Sequence, residues 1–453
     1  MNAKAGEPTL GVWKHCLGGA LVWWVLGLNL FIYHGAAVFL ASFFLMGKRS
    51  SGKGLFIPAS AVTLFFLSAV YLFSIALNAA ANEPSRVLAA CYNLSFWLMG
   101  MVLITAMANA FKLEEIPEVF EAFRKLSILI CVLTLAVVFF MLRDSGPIEF
   151  RTPLYGFSQH LGNTALIKDS FVLKPLMVDW FASYSRLRLN LLGPYPTASA
   201  GLIMIVLAFL MNETRKLKHR NRLWQWGVLG LNAAALFLTL SRMSILAFFL
   251  AVAAAWFLEK KKVLLWVLFS AGVLLLLLPW MIPFSEWMMG LRGGSTSTRL
   301  SLYRYTIDQL DGLDWIVGVG IKAREEGFAI PIGSHSTYVS LLYKTGALGL
   351  FLFTAFQARL ILSWIQLKEY ARSRRNYFFF WRVCGYVFIS MGFWMITEDI
   401  DAPQLLAFLY FSLVGMFEGF QKKLRDEQKE KTEYEEAKRR ILNSRYQGQP
   451  SRS

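Results

Sequence analysis

Histidine and cysteine are scarce in this chain, five and four among 453 residues. Cys16, Cys91, Cys131 and Cys384 all fall inside long apolar runs, at spacings that suit neither a metal centre nor a disulfide framework. Acids are also short, 29 against 46 Lys and Arg. Low-complexity stretches and convincing internal repeats are missing. So is the brief apolar core of a cleavable secretion signal, because the first apolar run is far longer and is expected to serve as an uncleaved insertion signal. The deepest scarcity is of charge over distance. Runs with little or no charge lie near 55–81, 87–111, 126–142, 196–211, 223–240, 243–258 and 263–284, and again near 336–364, 377–397 and 402–420. A membrane crossing needs roughly 20 apolar residues, so these runs exclude a soluble protein. Their unbroken character excludes an outer-membrane barrel, whose strands alternate.

What charge exists is placed unevenly. Lys48, Arg49 and Lys53 form one basic loop, and Arg215, Lys216, Lys218, Arg220 and Arg222 a second. Lys260, Lys261 and Lys262 form a third, and Lys368, Arg372, Arg374 and Arg375 a fourth. All fall on one side of the runs, and cations mark the cytoplasmic side. That asymmetry accounts for the net charge of +17 better than nucleic-acid binding does, since no basic stripe lies on a soluble domain. The opposite side receives Asn82-Glu83-Pro84, the stretch 143–195, the turn at Arg242, the stretch 285–335 and Glu398-Asp399-Ile400-Asp401. The N-terminus falls inside if the run Cys16 to Gly47, with His34-Gly35 near its middle, is two helices. The expected fold is therefore an all-α polytopic membrane protein of about 12 transmembrane helices, or 11 if that run is one helix. Residues 1–142 hold the N-terminal helices, 143–195 a long extracytoplasmic loop, and 196–284 the central helices. Residues 285–335 form the second long loop, 336–420 the C-terminal helices, and 421–453 a charged, helical cytoplasmic tail. The segment 112–125 reads as a short interfacial helix, and Arg359 and Arg382 as cations snorkelling from their spans.

Arg242 is the one charge between Leu223 and Phe257. A charge at the bilayer centre costs about 2.5–3.5 kcal/mol on insertion scales. The run is too long for one span, so it folds most simply as two helices turning at Ser241-Arg242, with the cation at a membrane face. The two long loops carry further cations that topology does not explain: Arg143, Arg151, Lys168, Lys174, Arg186 and Arg188 in the first, then Arg292, Arg299, Arg304, Lys322 and Arg324 before His335. Asp308, Asp311 and Asp314 step progressively around a helix without His or Cys, which suits a solvated face rather than a metal. Gly318-x-Gly320 alone is too little for a nucleotide loop.

Several of these patterns together resemble the O-antigen ligase and O-antigen polymerase superfamily of bacterial surface-polysaccharide enzymes. Thr239-Leu240-Ser241-Arg242 is similar to its Ser-Arg motif. Arg188 followed by Gly193-Pro194-Tyr195-Pro196-Thr197 resembles its Arg…Gly…Asn-Pro-Asn lead into a helix. Arg299-Leu-Ser-Leu-Tyr303-Arg304, then Gly318-x-Gly320, and His335-Ser336-Thr337-Tyr338-Val339 with Gly346-Ala347-Leu348-Gly349-Leu350 complete the order. The chain departs from the pattern at Ser336, where Asn is usual, at Lys344, near a frequent Glu, and at Tyr195-Pro196-Thr197.

The resemblance implies a metal-independent inverting glycosyltransferase without cofactor in the bacterial inner membrane, serving O-antigen, lipopolysaccharide or exopolysaccharide biosynthesis. Its donor would be an undecaprenyl-pyrophosphate-linked glycan, its acceptor a second glycan, and its surroundings membrane lipid. A flippase or chain-length regulator is the candidate partner, and no nucleic acid is expected. The departures on the acceptor side lean slightly toward polymerase over ligase. Arginine holds phosphate oxygens in a bidentate fork and stays protonated, so Arg188, Arg242 and Arg299 are the pyrophosphate candidates, with Arg186 and Arg304 as substitutes. Lipid-headgroup anchoring or ion pairing are their alternatives. His335 is the candidate general base, ahead of His34 and His160, unless it merely starts a helix. Glu398 and Asp399 could orient His335 or a sugar, and Asp401 lies beside them; a solvated turn is the other reading. A secondary transporter or flippase of lipid-linked sugars is the rival function, and a membrane scaffold a third.

Overall fold

The computed structural model describes residues 7–51, 54–143, 146–158, 171–178, 187–213, 219–259, 295–324 and 331–447. The span expected near 263–284, Lys260 to Lys262, His160, Lys168, Arg186 and Arg292 lie outside them. The described chain is mainly helical: α1 (Glu7–Gly18), α2 (Ala20–Leu26), α3 (Asn29–Ser51), α4 (Ala59–Asn78), α5 (Pro84–Ala110), α6 (Ile116–Arg143), α7 (Pro196–Glu213), α8 (His219–Leu238), α9 (Arg242–Glu259), α10 (Ser295–Asp308), α11 (Thr337–Gln366), α12 (Arg375–Trp394) and α13 (Gln404–Gln447). Among the described residues, six helical stretches are long and apolar enough to cross a membrane: 59–81, 84–110, 113–143, 196–213, 242–259 and 337–366. The protein is a multi-pass membrane protein.

The first apolar run is interrupted at Gly27, while His34-Gly35 lies within α3. Gly27 adopts a left-handed φ of 79° and closes α2. A Cβ there would strike Thr152 and Phe171, so the break is also a docking point for the connection between α6 and α7. That connection corrects an all-helical expectation. It contains an antiparallel sheet of β1 (Ile148–Arg151), β2 (Val172–Val178) and β3 (Leu187–Leu189), in the order β1-β2-β3. Residues of alternating polarity such as Ile148-Glu149-Phe150-Arg151 favour a pleated ribbon with two unlike faces.

Two further expectations change. Residues 112–125 are not a separate interfacial helix. They form a short 3-10 turn closed by Glu115 accepting from Lys112 N at 2.7 Å, and then the first turns of α6. Ile116, Val119, Phe120 and Phe123 continue that helix's buried face without interruption. Arg359 and Arg382 are paired with acids. Arg359 pairs with Glu418 at 2.5 Å and donates to Ser60 Oγ at 2.8 Å, while Arg382 pairs with Glu259 and lies 4.7 Å over the Phe378 ring. Acids on neighbouring helices supply partners that a single-run reading cannot see.

Helix association relies on small residues, as expected where lipid removes the hydrophobic drive between helices. Gly415 and Gly419, one turn apart on α13, lie so close to the α5 backbone at Ile104 and Ala108 that a Cβ would fall within 2.7 Å and 2.6 Å of it. Trp364 and Trp381 stack at 4.8 Å and each donates its indole N–H to the other's carbonyl, tying α11 to α12. Helix α11 is interrupted at Gly346, φ 63° and ψ −167°. The backbone of 316–318 enters this gap, Val319 N bonds Tyr343 O at 2.7 Å, and Ser74 Oγ donates to Gly318 O at 2.8 Å. The Gly318-x-Gly320 pair is therefore an interlock between α4 and α11.

The contacts define two ends of the bundle. At one end, Lys14 pairs with Glu118, Arg124 with Glu213, and Lys368 and Arg372 donate to the last carbonyls of α9. The other end carries the turn Glu398-Asp399-Ile400-Asp401 between α12 and α13.

Candidate active site

The turn at 398–401 collects three cations from three different segments. Arg299 of α10 donates to Glu398 at 2.8 Å, Lys322 to Asp399 at 2.8 Å, and Lys344 of α11 pairs with Asp401. All three acids are buried, at 2%, 7% and 2% exposure, so the reading of solvated turn acids fails. Trp97 of α5 also donates to Asp401, at 3.2 Å. The backbone of the turn is fixed to the start of α11: Thr337 N and Oγ1 donate to Glu398 O at 3.0 and 2.7 Å, and Ile400 N donates to Thr337 Oγ1 at 3.0 Å.

His335 sits one residue before the Ser336 cap of α11, whose side chain accepts from Val339 N at 3.3 Å. It does precede a helix start, as the bland alternative has it. Yet its ring also faces the acidic turn: Nδ1 lies 3.9 Å from Glu398 Oε2, and the side chain remains 26% exposed. Its backbone is left-handed at φ 65°, a strained state for a non-glycine residue. Burial pushes the Glu398 carboxyl upward, but Arg299 and His335, with the Thr197 hydroxyl, outweigh it and bring the pKa down to about 2. Glu398 is thus a fixed negative charge beside the imidazole.

Arg242 opens α9, as the turn reading requires. The preceding turn is held by Thr239 Oγ1 donating to Leu236 O at 2.7 Å and by a 2.6 Å contact between the Ser241 and Ser244 hydroxyls. Arg188, on β3 and buried, reaches this turn: its Nε donates to Thr239 O at 2.9 Å. From Arg188 the chain runs through Asn190 and Leu191, both clamped by Ser199 Oγ, to Tyr195 and Thr197 at the start of α7. Thr197 bonds Glu398, and Tyr195 lies within the field of Glu398 and Arg299.

The structure therefore brings Arg299, Glu398 and His335 together, sets Arg188 against the Arg242 turn, and joins the two groups through residues 190–197. Asp399 belongs to the same turn but faces Lys322, not His335. Arg299 has its charge matched by Glu398 and a second donor placed on Thr397 O at 3.2 Å. Among the described residues, the non-glycine positions with positive φ are Leu192, Leu240 and His335. Each lies in one of these site segments, and nothing in the residue type of a leucine reveals that. Sequence reasoning quoted Thr197 and Thr239 only as members of motifs, and it missed Thr306. For Thr306 a signal existed, its helical spacing from Arg299.

Residues 227–354 match the family model described as O-Antigen ligase. The match takes in the 239–242 turn, α9, α10, His335 and the Gly346 interruption, and leaves Arg188 and the acidic turn outside it. No curated protein matches the chain.

Proposed function

We propose that this protein, whose residues 227–354 match the O-Antigen ligase family model, is an integral membrane glycosyltransferase of the O-antigen ligase and polymerase superfamily. It transfers a glycan from an undecaprenyl-pyrophosphate carrier to a hydroxyl of a second glycan, at the outer face of the bacterial inner membrane. The observation that carries this reading is the Arg299–Glu398–His335 cluster at the same bundle end as the Arg188–Arg242 turn.

In the reaction the acceptor oxygen attacks the anomeric carbon from the side opposite the leaving group. A new C–O bond forms, the bond to pyrophosphate breaks, and the configuration inverts. The acceptor proton passes to His335, whose Nδ1 lies 3.9 Å from Glu398 Oε2. The departing diphosphate gathers charge. Arg242 meets it with the N-terminal end of α9, which favours anions independently of the side chain, and Arg188 adds a second guanidinium. The side assignment rests on the basic loops at the opposite end. Polymerase is favoured over ligase by the acceptor-side departures at Ser336 and Tyr195-Pro196-Thr197.

A transporter or flippase of lipid-linked sugars is the second reading, favoured by the interrupted helix at Gly346 beside the buried Lys344–Asp401 pair. One experiment separates them. Purified protein in detergent, given undecaprenyl-pyrophosphate-linked repeat units and no gradient, is expected to yield longer chains, or transfer to lipid A-core if that acceptor is supplied. Recovery of chemically unchanged donor overturns the enzyme reading. Full turnover by a His335→Ala variant removes His335 as the base.

A further inference from the structure

Three residues of α10 share one face at helical spacings of four and three: Arg299, Tyr303 and Thr306. Each touches a different part of the His335 neighbourhood. Arg299 Nη2 donates to Glu398 Oε1, the carboxylate whose other oxygen faces His335 Nδ1. The Tyr303 hydroxyl donates to the His335 carbonyl. Thr306 Oγ1 accepts from Gly333 N at 3.0 Å, two residues before His335. Leu302 and Thr306 are fully buried, which seats this face firmly.

Gly333 turns the chain at φ 70°, which a glycine adopts freely, whereas His335 at φ 65° holds a left-handed state that costs a non-glycine residue and so depends on its surroundings. Ser336 and Thr337 hold it from the α11 side, through the cap and the acidic turn. The α10 stripe holds it from the other, at the backbone on both sides of residue 334 and at the acid facing the ring.

We propose that α10 is a positioning clamp for His335, and that Arg299 acts on the reaction through Glu398 rather than by gripping the donor's pyrophosphate. This rests on the glycosyltransferase reading for its consequences in turnover, though not for the geometry it describes. A guanidinium already bonded to a buried carboxylate and a carbonyl is poorly placed to take two phosphate oxygens. The same contacts fix the carboxylate at a set distance from the imidazole, as an orienting partner does. Tyr303 and Thr306 are positioning residues in the same sense.

The test uses the full-length protein in detergent with lipid-linked donor, comparing wild type with Arg299→Gln and Tyr303→Phe. A clamp predicts kcat lower by about 10- to 100-fold in both, with KM for the donor essentially unchanged. A pyrophosphate ligand predicts a raised donor KM in Arg299→Gln and wild-type kinetics in Tyr303→Phe; that pattern overturns the clamp and leaves the glycosyltransferase reading standing. Tyr303→Phe keeps the ring and removes one hydroxyl, so it guards against loss of folding. An activity-independent measurement accompanies the kinetics: ¹⁵N resonances of the His335 ring, assigned by comparison with His335→Gln. Both clamp variants are expected to shift them. Unmoved resonances overturn the clamp whatever the turnover, whereas shifted resonances in a protein inert toward donor retain the clamp and overturn the assigned reaction.

Discussion

The two ends of the helical bundle differ in how far they enclose their charges. At the basic end, ion pairs such as Lys14–Glu118 and Arg372–Glu369 stand with roughly half of each side chain open, although Arg382–Glu259 there is enclosed. At the acidic-turn end, Arg299–Glu398, Lys322–Asp399 and Lys344–Asp401 are all nearly closed off. Exposed pairs contribute about 0–1 kcal/mol, because water and side-chain entropy cancel most of the attraction. Buried pairs repay their desolvation only while both partners are present. Charge at the first end thus orients and solubilises, whereas charge at the second specifies a geometry. That is where a chemical site would need it.

Asp401→Asn should strike this contrast hardest. It leaves Lys344 enclosed without its carboxylate partner, so unfolding free energy should fall by about 3–5 kcal/mol, read from thermal or denaturant melts in detergent. Replacing both partners, Lys344→Met with Asp401→Leu, should restore much of that loss. If the single variant melts like wild type, the two ends do not differ as described. Next comes Arg242→Ala, expected to lower transferase turnover by about 100- to 1000-fold while the protein still inserts. Arg242→Lys should rescue little, because an ammonium lacks the planar fork.

A smaller and pH-dependent effect belongs to Glu398. Its pKa is lowered from 4.5 to about 2, so its stabilising contribution is complete above about pH 4.5 and fades as pH falls toward 2. Melting temperature attributable to this group should be flat from pH 7 to 5 and decline below; Glu398→Gln should remove that acid-side slope. The least effect is expected from Arg372→Ala, one of the exposed pairs, whose melting temperature should match wild type within error. A large drop there would break the comparison from the other side.

The apolar runs made most helix positions legible, including the break beside Arg242, because a lone guanidinium must leave hydrocarbon. Partnership was harder to read. Arg359 and Arg382 looked like snorkelling cations because Glu418 and Glu259 are distant in sequence and adjacent only after packing. The sheet between α6 and α7 was obscured by its short strands, one of them three residues long. At the candidate site, Arg242, His335 and Glu398 could be singled out by residue type and placement, whereas Arg188 and Arg299 were picked from the other loop cations through the family resemblance. That Arg299 faces Glu398, and that Leu192 and Leu240 bear left-handed backbones, are properties of tertiary contact. The spacing Arg299, Tyr303, Thr306 was visible all along, but its meaning required knowing what stands opposite.

Helix α13 begins at Gln404, three residues after Asp401, and continues unbroken to Gln447. At 1.5 Å per residue its 44 residues extend about 66 Å, more than the full thickness of a bilayer with its headgroups. From Arg425 to Arg440 its side chains are exposed. The acidic turn therefore sits at the head of a stiff rod whose far portion stands clear of the bundle. Torque or tension applied to that portion would arrive, with little slack, beside Asp401.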